Sequence, residues 1–357
     1  MNTKIEWHNV QVYYYDKEKD DLILDCVRPL FANLPSTARR CFFVRHWLRG
    51  PHLRLRFQAS RDDFDRIIKP AINNQVIGWL AEHPSMTLLD EAALLPKYER
   101  LAKAEREPGP LSPLYPDNSI QYLPYDRRLD VLGSEAAASL LEDFYVATTD
   151  LAFAMLAHIR DGNSRLNLAI DLMWATAHAV GPPITRAFIS YRSHSEGKIM
   201  GAEDPAALRS FFEQQYRTRA HALTERLGQV IDTLDGQRDD VPFVRDWAQI
   251  MRRLWKQAEP LIAAGSITLP MPPPGKWVDS EIAQHSPFHQ ALGSNLSYLE
   301  RLRTNPRSLD YRVIVNCLYL HLTRLGLKGY ERFLLGYLAA EAVEERFGVS
   351  AVDLVSA

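Results

Sequence analysis

Residues 42–57 of the chain read FFVRHWLRGPHLRLRF. Two runs of strand-forming residues meet at a Gly-Pro turn, which predicts a β-hairpin. Because side chains alternate along a strand, His52, Arg54 and Arg56 share one face of the second strand, and the apolar residues between them share the other. Two neighbouring guanidiniums repel each other unless an anion is bound between them. The hairpin is therefore a candidate clamp for a carboxylate or phosphate, and a solvated sheet face is the alternative interpretation.

The pattern around the hairpin predicts an α+β fold. Alternating residues predict strands, and apolar residues at helical spacing predict helices. The elements expected in the first third are a strand over 5–15, a helix over 19–33, the hairpin, a helix over 62–82 kinked at Pro70, a charged helix over 95–107 and a strand over 119–128. Strand, helix, two strands and helix in this order begin a ferredoxin-like antiparallel sheet with helices.

From residue 134 onward the chain is predicted to be mainly helical. Apolar stripes at helical spacing cover residues 140–156, 166–184, 205–235, 241–263, 290–303 and 308–345. The proline-rich stretch over 270–275 predicts a stiff linker or an active-site loop. We therefore predict an α+β sheet region over residues 1–133 and a mainly helical region over residues 134–357 that packs on it, the two forming one integrated catalytic unit.

Composition and charge argue against several classes of function. The chain has 42 basic and 44 acidic residues without a basic stripe, so we expect no nucleic-acid or membrane partner. No apolar run approaches the roughly 18 residues that cross a bilayer, and the first residues lack the apolar core of a signal peptide. The 3 cysteines are widely spaced and form neither a disulfide framework nor a zinc pattern. We expect a cytoplasmic protein.

No standard nucleotide, metalloprotease or serine hydrolase motif is present. His285 and His289 stand four residues apart but lack an obvious third ligand, so they are expected to be polar residues near a helix start rather than a metal site. His321 and Arg324 stand three apart in an apolar helical run and share a helix face, whereas Tyr319 lies on another side. A satisfied core residue is the alternative interpretation of His321.

The remaining candidates are rich in arginine, histidine and tyrosine. Cationic side chains that hold a carboxylate, with one group that titrates near neutrality, suit abstraction of a proton beside a carbonyl. This chemistry is compatible with the side chains but is not specified by them.

Three segments resemble the C-terminal domain of lantibiotic dehydratases and its stand-alone relatives in thiopeptide-type bacteriocin biosynthesis. They are the strand over 7–15 with the hairpin, the stretch YLPYDRR over 122–128, and the helical segment over 316–325. They occur in the family's order and span most of the chain. The resemblance implies an α+β enzyme that removes glutamate from glutamylated serine or threonine, leaving dehydroalanine or dehydrobutyrine. It equally implies the activity of stand-alone relatives, which form a pyridine ring by a formal aza-[4+2] cycloaddition and expel the leader peptide.

Carried over by position, Arg54 and Arg56 match the family's arginine pair, and Arg128 matches its downstream arginine. The resemblance implies that these residues bind the glutamyl group and stabilise negative charge as it leaves. Two departures stand out. The family's glutamate after proline is Tyr125 here, and the usual histidine of the last motif aligns with Tyr319.

These observations lead to a ranked set of expectations. The first is a lyase that eliminates glutamate from a leader-bearing precursor peptide. Its expected catalytic residues are Arg54, Arg56, Arg128, His321 and Tyr319, with His321 as proton acceptor, and its expected substrate-binding residues are His52, Arg45, Arg324 and Tyr122. The alternatives are a thiopeptide pyridine synthase and a non-catalytic subunit that binds the precursor along its exposed sheet edge. A glutamylating or azole-forming enzyme and a second copy of the chain are candidate partners, and we expect no cofactor or metal.

Overall fold

The predicted hairpin lies in a four-stranded antiparallel sheet near the start of the chain. The computed structural model describes residues 4–38, 40–268 and 286–357. The strands are β1 (Ile5–Tyr13), β2 (Cys41–His46), β3 (His52–Ser60) and β4 (Ser119–Leu123), in the order β2-β3-β1-β4. In this register Val10 of β1 stands opposite Leu55 of β3 on one side and Tyr122 of β4 on the other. The predicted α+β class is confirmed.

Seven helices accompany the sheet in the part of the first 163 residues that the structure describes. They are α1 (Arg28–Ala32), α2 (Arg61–Asp63), α3 (Lys69–Glu82), α4 (Glu91–Glu105), α5 (Leu129–Leu132), α6 (Glu135–Ala147) and α7 (Thr149–Arg160). Pro70 falls in the first turn of α3, directly after a π-type turn over Phe64–Ile68. The residues on both sides of Pro70 are helical, so its missing N–H falls within a continuous helical path, next to the π-type turn. The helical path therefore continues through Pro70 to Glu82.

The chain divides into two compact units. The first comprises Met1–Asn163 with Arg324–Gly326, and the second comprises Ser164–Thr323 with Leu327–Ala357. Helices α6 and α7 both contact strand β2, so they group with the sheet although the sequence pattern turns helical at residue 134.

The described residues of the second unit form helices and connecting loops, without a strand. Its helices are α8 (Arg165–Val180), α9 (Ile184–Ala187), α10 (Ile189–Met200), α11 (Pro205–Arg217), α12 (Ala220–Leu234), α13 (Val244–Ala263), α14 (Pro287–Ser294), α15 (Leu296–Thr304), α16 (Pro306–Arg324, whose last residue belongs to the first unit), α17 (Gly329–Phe347) and α18 (Ala351–Ser356). Helix α8 is its centre and contacts α12, α13 and α17. Trp174 of α8 donates to the carbonyl of Ala339 at 3.2 Å, and Trp247 donates to Oγ1 of Thr176 at 2.8 Å. Both indoles thus satisfy their N–H groups inside an apolar core.

None of the described helices combines the length and the apolar character that crossing a bilayer requires. The proline-rich stretch over 270–275 and His285 lie outside the described residues.

Candidate functional site

The face of β3 that carries His52, Arg54 and Arg56 is covered by protein. His52 is 0% exposed and Arg56 is 5% exposed, which contradicts the solvated-face interpretation. Nδ1 of His52 lies 2.8 Å from the carbonyl of Gly50 and therefore donates, which leaves Nε2 to accept a 3.2 Å hydrogen bond from Nε of Arg54. Burial, followed by the charge of Arg54, holds the pKa of His52 well below its usual range. His52 is thus a neutral imidazole that orients the Arg54 guanidinium.

A carboxylate lies against these arginines, and it belongs to the chain itself. Glu107 follows helix α4; its Oε1 is 3.8 Å from Nη2 of Arg54, and its Oε2 accepts a 2.5 Å hydrogen bond from Nη1 of Arg128. The Glu107 side chain is only 6% exposed. Arg128 also donates to the carbonyls of Glu105 at 2.8 Å and Arg106 at 2.9 Å. Two of the three arginines expected to bind the glutamyl group, Arg54 and Arg128, therefore share an internal anion.

The third arginine, Arg56, stacks on Tyr125 instead of reaching the Glu107 carboxylate. Its guanidinium carbon lies 4.6 Å from the centre of the Tyr125 ring, and its buried Nη1 has no hydrogen-bond partner among the described residues. Burial, followed by the charge of Arg54, lowers the pKa of Arg56 to about 9. The Tyr125 hydroxyl donates to Glu142 at 3.1 Å. At the position where the family has glutamate, this chain thus supplies an aromatic face for a buried cation.

One group of side chains in the described part has the spacing of metal ligands. Donor atoms of His46, Glu105 and Glu107 lie within 4.8 Å of one another. Nδ1 of His46 accepts from the backbone N–H of Leu48 at 3.1 Å, so a neutral ring carries its proton on Nε2, which faces Glu107 at 3.9 Å. The guanidiniums on Glu107 oppose a further cation there, and we assign no metal chemistry to this group.

Arg45 and Arg324, both predicted to bind substrate, contact each other. Nε of Arg45 donates to the carbonyl of Arg324 at 2.9 Å, and its guanidinium pairs with Asp20. Arg324 is 1% exposed and donates to Oγ1 of Thr148 at 2.9 Å and to Oγ1 of Thr149 at 2.5 Å. The structure therefore gives both arginines partners within the protein.

Tyr122, the remaining predicted substrate-binding residue, lines a groove of about 460 Å³ between α3 and the edge strand β4. Its hydroxyl donates to Oδ1 of Asn73 at 2.6 Å. The other lining residues are mostly apolar or amide-bearing: Ile77, Leu80, Ala81, Asn118 and Ile120. The groove thus combines an apolar floor with the outer edge of β4, which pairs with no further strand of the described residues.

In the second unit, Tyr319 of α16 meets His194 of α10, a residue that no sequence pattern singled out. The Tyr319 hydroxyl lies 2.8 Å from Nδ1 of His194, and the Arg332 guanidinium lies 4.7 Å from the centre of the Tyr319 ring. Burial raises the pKa of Tyr319, which is 7% exposed. His194 as a residue is exposed, but the protein around its ring reduces the solvation of the charged form. This desolvation, followed by the charges of Arg332 and Arg312, lowers the pKa of His194 to about 4.

Both members of this pair are therefore uncharged at neutral pH. A neutral hydroxyl and a neutral imidazole can share this hydrogen bond in either direction, with the proton supplied by the Tyr319 oxygen or by Nδ1 of His194. The pair offers a proton donor and a proton acceptor side by side without a net charge.

A second histidine contacts the residue next to His194 on α10. Nε2 of His289 lies 3.5 Å from Oγ of Ser193, and its Nδ1 lies 3.1 Å from Oγ of Ser286. Ser286 also caps helix α14 by accepting from the backbone N–H of His289 at 3.2 Å, which confirms the predicted helix-start position. Burial lowers the pKa of His289 to about 4.

His321, the predicted proton acceptor, lies in the core of the second unit. It is 0% exposed, and its ring centre is 4.6 Å from that of Trp247. Tyr319 and His321 are two residues apart on α16 and face different sides of it, as the helical period requires. The Tyr319 hydroxyl lies at hydrogen-bonding distance from a histidine, and we base the reaction on Tyr319 and no step on His321.

The chain is similar to two solved structures over nearly its whole length. One is the pyridine synthase TbtD from thiomuracin biosynthesis, with 34% identity, a TM-score of 0.79, and coverage of 96% of this chain and 99% of that chain. The other is TsrL, with 25% identity, a TM-score of 0.73, and coverage of 99% and 98%. No curated protein sequence matches the chain.

The family's sequence profile matches residues 7–343, which include the hairpin, the 122–128 stretch and the helix that carries Tyr319. This match and the structural similarity confirm the resemblance inferred from the motifs. The chain belongs to the family described as lantibiotic biosynthesis dehydratase C-term.

Proposed function

We propose that this chain is a pyridine synthase of ribosomally synthesised peptide maturation. It would join two dehydroalanine units of a precursor peptide by a formal aza-[4+2] closure and release the leader peptide. The observation that carries this proposal is the hydrogen bond between Tyr319 and His194. The position at which the glutamate-eliminating pattern has a histidine is occupied by a neutral tyrosine, and its partner histidine comes from another helix.

The chemistry of ring closure suits such a pair. One backbone amide must enter its iminol form to supply the C=N of the closing ring. Aromatisation then removes that oxygen as water and breaks the bond to the leader-bearing nitrogen, which leaves with a proton. The protons that leave with water and with the leader nitrogen come from the two ring CH2 groups, and a hydroxyl beside an imidazole can accept and deliver them. Holding the two alkenes in a reactive geometry supplies a further part of the rate enhancement.

The likeness to the pyridine synthase TbtD supports the same reaction in this chain, since it extends over both units and not only the sheet. The groove beside β4 gives the precursor a docking surface. An extended peptide segment would add to the outer edge of β4 and place apolar side chains among Ile77, Leu80 and Ile120.

Glutamate elimination is the second candidate, because Arg54, Arg56 and Arg128 are all retained. The burial of Glu107 against Arg54 and Arg128 disfavours it, since a substrate carboxylate would have to displace an internal one. The core position of His321 disfavours it as well, because the expected proton acceptor is 0% exposed.

A direct test offers the purified protein two substrates in separate reactions. One is a multiply dehydrated azole-bearing precursor, and the other is a glutamylated precursor. Loss of water with release of the leader from the first, read by intact mass, is the expected result. Loss of glutamate from the second, with the first unchanged, would establish elimination instead. Binding of either peptide without any mass change would point to a non-catalytic precursor-binding subunit.

A further inference from the structure

Ring formation gives no role to the arginine cluster of the first unit, which comprises Arg54, Arg56 and Arg128. Three guanidiniums lie on or beside one strand face, that of Arg56 buried and those of Arg54 and Arg128 partly exposed. Neither the closing ring nor the departing leader nitrogen calls for a carboxylate site. The chain nevertheless places a carboxylate there from its own sequence, at Glu107.

We propose that Glu107 is a specificity-determining residue, whose carboxylate fills the site formed by Arg54 and Arg128 and excludes the carboxylate of a glutamylated side chain. This inference rests on the proposed function and deepens it, because it gives a physical reason why glutamyl peptides are not processed.

Glu107 is held in place by more than its two ion pairs. Its backbone N–H donates to the carbonyl of Ala102 at 2.9 Å, which closes the end of helix α4. The preceding residue, Arg106, takes a left-handed conformation with φ of 54°, so the chain turns sharply toward the hairpin. Glu105 accepts a 2.9 Å hydrogen bond from the indole N–H of Trp47 in the hairpin loop. The Glu107 carboxylate is therefore delivered by a fixed helix end.

The Glu107 carboxylate excludes a second carboxylate both by its charge and by the space that it occupies. One Glu107 oxygen accepts a hydrogen bond from Arg128, and the other lies 3.8 Å from the Arg54 guanidinium. The 6% exposure of Glu107 leaves little room for a second anion beside it. Removing the Glu107 carboxylate would leave two guanidiniums facing an unfilled space, with the unpartnered Nη1 of Arg56 on the same strand face. Such a site attracts small carboxylates, because guanidinium and carboxylate form strong charge-assisted hydrogen bonds.

The test is anion rescue of a Glu107→Ala variant of the full chain. Thermal unfolding is followed while sodium acetate or sodium glutamate replaces sodium chloride at constant ionic strength. We expect the variant to melt several degrees below the wild type and to recover in a saturable manner with either carboxylate. The wild type is expected to show no saturable shift. A double variant, Glu107→Ala with Arg54→Ala, is expected to lose the rescue.

Asp130→Ala is the matched control. Asp130 also faces Arg128, at 3.9 Å, but its side chain is 65% exposed, so its removal should create no carboxylate-binding site and no rescue. If Glu107→Ala fails to fold, Glu107→Ser, which also vacates the carboxylate position, takes its place, and glutamate binding is then measured by calorimetry. Saturable glutamate binding to the wild type that Arg54→Ala abolishes would overturn the proposal, and so would the absence of any carboxylate effect in the Glu107 variants. These readouts use free anions, so they are independent of the outcome of the ring-forming assay.

Discussion

The hydroxyl of Tyr319 and Nδ1 of His194 are 2.8 Å apart, on two helices of the second unit. The pKa of the tyrosine is raised and that of the histidine is lowered, so the proton stays on the tyrosine oxygen at neutral pH. The proposed reaction depends on this pair, whereas the arginine cluster of the first unit is filled by Glu107.

Replacing Tyr319 with phenylalanine should lower kcat for ring formation by about 10²–10⁴-fold, because the variant keeps the ring but loses the transferable proton. Single-turnover kinetics on the dehydrated precursor measure this loss, and near-ultraviolet circular dichroism checks the fold. Tyr216→Phe is the matched control, since its hydroxyl donates to Glu345 at 2.7 Å and has no part in the proposed pair. An equal loss in both variants would show that the effect at Tyr319 is structural.

The free energy of unfolding should depend on pH through the protonation of His289. Burial lowers its folded-state pKa to about 4 from an unfolded value of 6.5, so its contribution is fully present above pH 6.5 and is lost as the pH falls toward 4. The loss is on the order of 3 kcal/mol. Urea unfolding of the wild type and of His289→Gln at several pH values gives the difference curve. A curve that stays flat across this window would contradict the buried neutral histidine.

Two adjacent acidic residues of α6 should differ strongly in their effect on stability. Glu142 is 5% exposed and accepts from Trp7 at 2.9 Å, Tyr125 at 3.1 Å and Arg127 at 2.8 Å. Glu142→Ala leaves the Trp7 and Tyr125 donors without this acceptor and removes the buried ion-pair partner of Arg127, so it should cost about 3–5 kcal/mol of unfolding free energy. Asp143→Ala removes only a 2.6 Å pair with Arg40 whose side chains are about half exposed, and should cost about 0–1 kcal/mol. Urea unfolding midpoints measure both variants. Similar losses of unfolding free energy would refute the expected difference between buried Glu142 and half-exposed Asp143.

The hairpin turn should tolerate no side chain at Gly50. Its φ of 115° is unfavourable for any other residue, and an added Cβ would stand 2.8 Å from the Tyr15 ring. We expect Gly50→Ala to cost at least about 2 kcal/mol, because the backbone strain and the clash add. Gly133→Ala is the control, since its φ is 83° and a Cβ there meets nothing within 4 Å, so only about 1–2 kcal/mol of strain is expected. Equal losses in thermal unfolding would refute the clash with Tyr15.

Local patterns predicted much of the first unit. Alternation along residues 52–57 placed the three polar side chains on one strand face, and the Gly-Pro turn located the hairpin between β2 and β3. The pattern could not reveal that this face is buried, since an arginine-bearing face looks the same in sequence whether water or another segment covers it. Glu107 lies far along the chain from Arg54, and no periodicity links the two.

The second unit shows the same limit. Tyr319 was identified because it replaces a family histidine, but its partner His194 lies on another helix, in a polar stretch without a motif. A pairing across helices depends on tertiary packing, which spacing rules within one helix do not encode. His321 is a candidate in sequence because it is a histidine in an apolar helical run. The run is apolar because it packs in the core, and His321 lies in the same core.

A competition in one vessel tests the central claim most directly. Equal concentrations of a multiply dehydrated azole-bearing precursor and a glutamylated precursor are mixed with the wild-type protein, and both products are followed by intact mass over time. We predict ring formation with leader release from the first and no loss of glutamate from the second. Loss of glutamate with the dehydrated precursor left intact would contradict the assignment of ring-forming chemistry to the Tyr319 and His194 pair.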